Sequence, residues 1–448
     1  MNLVTQPNDL PETPDSKSPG QLRREVGLAG AVLLGLGSIV GTGVFVSIGV
    51  AAGITGPSVL LAIGFAAFVA IANGLSSAQL AASHPVSGGT YEYGYRYLSP
   101  SLGFMAGWVF LWAKSASAAT AALGFAGYLL NSITLRSEAW LTLVAFFAVA
   151  AITGVVLAGV RRSNAVNFVI VSITLLTLTL FVVGGVPIVF AEGRSNFDPF
   201  FLDGESGSNI ARQVLHATAI MFVAYTGYGR IATLGEEVHD PEKTIPRAVV
   251  ATLVASMIVY MAVGFVAVGA VGAERFGEAT KETAAPLEVV AQEYAFPAAS
   301  WILTLGAMMA MLGVLLNLIL GLSRVLLAMG RRRDVPQIFA GVDGSGTAPR
   351  VAVVVTGIIV AGLAVVGSVE TTWSFSAFSV LVYYAITNLA ALRLPKESRR
   401  FPRWIAVVGL VACLFLAFWV KLEIWLAGLG FLALGLIWFL VARRAKRR

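Results

Sequence analysis

Apolar runs of about twenty residues, separated by short polar breaks, repeat along nearly the whole chain. They fall at 27–53, 58–80, 101–131, 140–160, 164–190, 210–238, 247–272, 298–330, 349–368, 373–393, 403–420 and 423–441. Most are long enough to cross a hydrocarbon layer of about 30 Å as a helix, so the pattern predicts an all-α protein with twelve transmembrane spans. The breaks reach about 25 residues at most, too short for a second domain that folds in water. Residues 1–26 are polar and contain proline, and read as a flexible tail with no signal peptide.

Two spans break their own pattern. Residues 35–43, Gly-Leu-Gly-Ser-Ile-Val-Gly-Thr-Gly, place four glycines inside span 1. Each interior glycine costs a helix about 0.8–1 kcal/mol relative to alanine, so the segment is expected to unwind at membrane depth. Freed backbone groups survive there only where they line a cavity or meet a ligand. A rival reading is a packing face, because Gly37 and Gly41 have GxxxG spacing. Span 6 carries a matching interruption, Phe222-Val-Ala-Tyr-Thr-Gly-Tyr-Gly-Arg230. Interrupted helices five spans apart imply two five-helix repeats, about 27–190 and 210–395, inverted because five is odd. Discontinuous first helices of inverted repeats form midplane sites in secondary transporters. The remaining 396–441 form two peripheral helices, and 442–448 a basic tail. Span 3 offers a small-residue packing face from Ser115 to Thr120.

Composition agrees with a lipid setting: 57% of the 448 residues are apolar and 12% charged, with mean hydropathy +0.82. Soluble proteins have about 25% charged residues. A net charge of +7 raises the question of nucleic acid, but its distribution answers it. With the N-terminus in the cytoplasm, most of the 31 basic residues fall in cytoplasmic loops or tails. The loop around 273–297 instead holds Glu274, Glu278, Glu282, Glu288 and Glu293, and reads as external. The positive-inside rule thus predicts a multi-pass protein of the cell membrane with both termini cytoplasmic. The single cysteine, Cys413, and the scattered His84, His216 and His239 give no disulfide and no metal site, and no cofactor is implied.

GLGSIVGTGVF (35–45), PVSGGTYEYGYRYL (85–98) and FVAYTGYGRIATLGEEVHDPEKTIPRA (222–248) resemble the amino acid–polyamine–organocation superfamily. The ending of the last motif, and SRVLLAMGRRRDVP (323–336), are similar to its cationic amino acid transporter branch. The resemblance covers residues 25–395 in family order. It implies a leucine-transporter-like core of ten helices with helices 1 and 6 discontinuous, alternating access, and an α-amino acid as substrate.

The residues fit that expectation. The half-helix starting near Gly41 presents N–H groups of Gly41, Thr42 and Gly43 to a carboxylate. Carbonyls of Ser38, Ile39, Phe222 and Ala224 can face an ammonium, with the substrate side chain toward Tyr225 and span 3 and close approach allowed at Gly227. Lys114 lies deep in span 3, where a charge is functional by default, although it could equally cap freed carbonyls. Proton-coupled relatives often have a lysine in span 5, and here that position is Thr174. Span 8, MLGVLLNLILGL at 311–322, has only Asn317 to offer a hard cation. The second partner, a coupling proton or a counter-substrate, therefore stays open between Lys114 and Thr174. Arg230 disfavours cationic substrates unless it pairs with Glu236 or Glu237, so a neutral amino acid is expected. The rivals are a cationic amino acid or polyamine transporter and a sensor that binds without translocating. A membrane enzyme would need a nucleophile–base pair at membrane depth, and the spans carry no such grouping.

Overall fold

The computed structural model describes residues 26–446 except 86–87, 136, 159–162, 192, 202–206, 233–237, 295, 297 and 343–348. The first repeat holds α1 (Leu28–Ile39), α2 (Ile48–Thr55), α3 (Val59–Ser83), a short α4 (Thr90–Tyr97), α5 (Pro100–Ser132), α6 (Glu138–Leu157) and α7 (Ser163–Ala191). The second holds α8 (Gly207–Tyr225), α9 (Gly229–Ala232), α10 (Pro241–Val271), short α11 (Ala273–Thr283) and α12 (Pro286–Gln292), α13 (Ala298–Arg331), α14 (Arg350–Val366) and α15 (Val369–Leu392). Two further helices, α16 (Arg403–Ala417) and α17 (Leu422–Lys446), follow. Among the described residues the only β contact is an isolated bridge between Val26 and Val238.

Eight apolar stretches are long enough to cross a membrane, and the first of them, Leu28–Ser83, makes two passes. The shorter α14 and α16 and the interrupted α8–α9 complete the twelve passes expected. α1 begins and α17 ends on one side of the bundle, called here the terminal face; the other is the far face.

Burial sorts the passes. α5 and α15 are 78% buried across their most apolar windows, while α6 and α17 are 22% and 17% buried. The sequence accounts for this. Gly107 of α5 lies against Tyr91 and Met329, and Gly124 lies against Met311, so glycine is what lets α4 and α13 approach. α6 instead turns Trp140, Phe146 and Phe147 outward, as a lipid-facing helix should. Hydroxyl pairs fix the contact between α5 and α15: Ser117 with Ser376 at 2.7 Å, and Thr120 with Thr372 at 2.8 Å.

Candidate functional site

The break in span 1 is narrower than the glycine pattern predicts. α1 stays helical through Gly35 and Gly37 to Ile39, and Val40 leaves helical geometry at φ −82°, ψ 88°. A π-helical turn, Gly43–Ser47, then leads into α2. π turns recur at functional sites. The two readings of the glycines are divided between them. A side chain at Gly35 would meet Ile231 and Thr252, and one at Gly37 would meet Asn167 and Val171, so these two pack helices. Gly41 lies in the break and also packs, since a side chain there would meet Val314 of α13, while Gly43 faces Ala224 across the break. In span 6, α8 runs to Tyr225, tightens into a 3-10 turn at Thr226–Tyr228, and resumes as α9.

The two breaks lie directly against each other. A Cβ on Gly227 would run into the Ser38 carbonyl, and one on Gly43 would lie 2.9 Å from the Cβ of Ala224. Tyr260 of α10 places its hydroxyl between them, 2.8 Å from the Ile39 carbonyl oxygen and 3.0 Å from that of Ala224. A hydroxyl has one proton to donate, so one of these two acceptors is left without it. The Thr42 hydroxyl, 2% exposed at the start of the second half-helix, has no hydrogen-bond partner. The first N–H groups of a helix likewise lack intrahelical acceptors.

Ser38, Ile39, Gly41, Thr42, Gly43, Ala224 and Gly227 thus converge at one place. The Ser38 hydroxyl itself donates back to Leu34, so only the backbone of that residue faces the break. Phe222 is buried with its ring edge-on to Tyr384, 5.7 Å between centroids. Tyr225 packs against the Tyr260 ring and points its hydroxyl at the Ile63 carbonyl of α3. Lys114, 8% exposed, donates to Thr226 Oγ1 at 2.8 Å, so the amine of span 3 is brought to the break of span 6. Thr174 is elsewhere occupied: its hydroxyl donates to Ile170 on its own helix. Beside α1, Asn317 donates to Asn167, whose own amide reaches toward the Leu33 carbonyl at 3.5 Å. Arg230 lies at the start of α9, and its expected partners Glu236 and Glu237 fall outside the described residues.

Tyr260, Tyr384 and Trp373 were not legible as site residues, because aromatics in apolar spans ordinarily face lipid or core. One signal was present: a phenol or indole far from both membrane surfaces needs a buried acceptor. Tyr384 finds the Thr226 carbonyl at 3.2 Å, and Trp373 the Ile220 carbonyl at 3.1 Å.

The centre is closed on both sides. On the far face a funnel of about 1520 Å³ opens between α2, α5, α8, α11 and α15, with Gly53, Asn131, His216, Thr283, Glu370 and Lys421 in its wall. Beneath it, Tyr128 donates to the Phe45 carbonyl at 2.9 Å and Trp373 ties α15 to α8. On the terminal face, Asp334, 4% exposed, accepts the hydroxyls of Tyr91 at 2.8 Å and Tyr95 at 2.5 Å. Its carbonyl accepts from the Trp438 indole at 2.8 Å. Arg332 pairs with Glu92 and lies 4.6 Å over the Tyr95 ring.

A helical membrane bundle with two abutting, interrupted passes, closed on both faces around a polar centre, defines a transporter of the leucine-transporter-like fold. The amino acid permease family model matches residues 30–446, and the chain belongs to that family. An uncharacterised transporter of Mycobacterium tuberculosis is 39% identical over 448 residues, covering 100% of this chain and 96% of that one. The branched-chain amino acid permease BcaP of Bacillus subtilis is 27% identical, with 94% of each chain covered. Among solved structures, MhsT in complex with L-phenylalanine superposes with a TM-score of 0.63 at 15% identity, covering 91% of this chain and 100% of that one.

Proposed function

We propose that this permease moves a neutral α-amino acid across the cell membrane by alternating access, with its terminal face in the cytoplasm. The observation that carries the reading is the Tyr260 hydroxyl, which offers one proton to the two carbonyls of Ile39 and Ala224. An ammonium has three donors and satisfies both acceptors at once. The substrate carboxylate then takes the N–H groups at Gly41–Gly43 and the unpartnered Thr42 hydroxyl.

The preference for neutral substrates follows from charge. α1, α5, α8 and α9 contain no Asp or Glu, and Lys114 stands at Thr226. A second ammonium on the substrate would meet an amine and find no acid. Lys114 is also the coupling group of this reading, in place of the lysine that Thr174 replaces. Thermal stabilisation of the purified protein by the twenty amino acids and by polyamines tests the substrate class, because a ligand stabilises according to its concentration over its dissociation constant. Neutral amino acids should stabilise it most; stabilisation by polyamines alone would overturn the proposal. For coupling, Lys114→Ala in proteoliposomes should abolish the response of uptake to a pH gradient.

A further inference from the structure

The five glutamates of segment 273–297 look alike in the sequence, but Glu288 differs from the other four. It is 3% exposed, whereas Glu274, Glu278, Glu282 and Glu293 are all exposed. Its neighbours are uncharged: Asn131 at the end of α5, and Ser300 and Thr304 in the first turns of α13. Glu288 Oε2 and Thr304 Oγ1 are both buried and neither makes a hydrogen bond of good geometry, although Asn131, Ser300 and Thr304 lie close enough to favour the charged form of Glu288. Burial holds the Glu288 carboxyl above the ordinary carboxylate range, opposed by Asn131, Thr304 and Ser300.

We infer that Glu288, Asn131, Ser300 and Thr304 form a binding site for one alkali cation on the far face, separate from the substrate cradle. A buried carboxylate with no ion-pair partner is unfavourable, and buried charges are normally paired or bound to a metal ion. Four hard oxygen-bearing side chains from three helices suit such an ion. The charge sets its valence. One carboxylate neutralises a monovalent ion, whereas a divalent ion would leave a buried net positive charge. An entry route exists, because Asn131 also lines the funnel.

Among the described residues, none of the groups acting on Glu288 is a cation. Tyr128 of α5 is the titratable group that acts on it, and the other charges of α11 and α12 (Glu274, Arg275, Glu278, Lys281, Glu282 and Glu293) are exposed. Arg275 pairs with Glu293 at 2.7 Å. The charged groups of α10 and α13 lie at their terminal-face ends, and Tyr260 of α10 is engaged at the break. Bound between α5, α12 and α13, a cation would fix the far-face cap that lies over the break.

The test is the unfolding temperature of the full-length protein in sodium, potassium or choline chloride at one ionic strength. Sodium or potassium should raise it by a few degrees over choline in a saturable way. The increment should vanish in Glu288→Gln, and in Thr304→Val the half-maximal ion concentration should rise about tenfold. It should also fade as the pH is lowered, because a proton competes for the same carboxylate. Equal unfolding temperatures in the three salts would overturn the inference. So would a protonated-carboxyl infrared band at neutral pH in sodium that disappears in Glu288→Gln, which would assign the site to a proton. Amino acid stabilisation, read in the same samples, reports on the cradle independently of either result.

Discussion

The two faces of the molecule are closed by different means. The terminal face is sealed by side chains that converge on one carboxylate: Asp334 takes two phenols from α4, and Arg332 stacks over one of them and pairs with Glu92. The far face stands open as a wide funnel and closes only at its floor, through single bonds from Tyr128 and Trp373 to backbone carbonyls. Hydrogen bonds to a charged acceptor are worth about 1.5–3 kcal/mol each, against about 1 kcal/mol for neutral pairs. A transporter must open each face in turn, so the costs of the two openings are unequal. In this conformation the terminal face is the more firmly held.

Removing the carboxylate should break that contrast most. Asp334→Ala deletes the acceptor of both phenols and should cost about 3 kcal/mol or more of stability. In the same background, a cysteine at Val325, which is buried in one cluster with Tyr91, should become reactive toward a thiol reagent applied from the terminal side; the native Cys413 is buried and gives little background. An unchanged unfolding temperature and an unreactive cysteine would show that the lock does not hold that face.

The same lock should weaken in alkali. Burial first, and then Asp334, raises the ionisation of Tyr91 and Tyr95 above the ordinary phenol value of 10.0. Groups whose folded value is raised keep their contribution below the unfolded value and lose it above. Stability should therefore fall as the pH rises beyond about 10, and Tyr95→Phe should flatten that fall.

On the far side, Tyr128→Phe removes one neutral hydrogen bond and should cost about 1 kcal/mol, read as a modest drop in unfolding temperature. The smallest effect belongs to the funnel rim. Glu370→Gln breaks the Lys421 pair at 2.6 Å, but the two side chains are 54% and 32% exposed. Exposed pairs contribute under about 1 kcal/mol, and high salt should abolish the difference between variant and parent. A larger loss than for Asp334→Ala would reverse the ranking of the faces.

Much of this architecture was written in the sequence, because a bilayer leaves few choices. Spans must be long, apolar and helical, so their order was legible to within a few residues. The breaks were legible because glycines in a helix interior are costly without a reason. Their extent was not: Gly35 and Gly37 have the same composition signal as Gly43, and only the neighbours Ile231 and Asn167 reveal them as packing positions outside the break. The short helices α4 and α11 were missed because they are polar and pass for loops until the bundle buries one side of them, and α12 because its seven residues are too few to register as a span. Glu288 was hidden among its exposed neighbours. Lys114 stood out as a lone charge at depth, yet its partner Thr226 lies 112 positions away and follows only from the fold.

The contact of Gly227 with the Ser38 carbonyl leaves no clearance where the two interrupted helices meet. One methyl group there would act as a wedge, prying α1 from α8 by more than thermal breathing allows. Gly227→Ala is thus a mechanical probe: a single-carbon spacer that should arrest the cycle at one stage and hold it still long enough to be imaged.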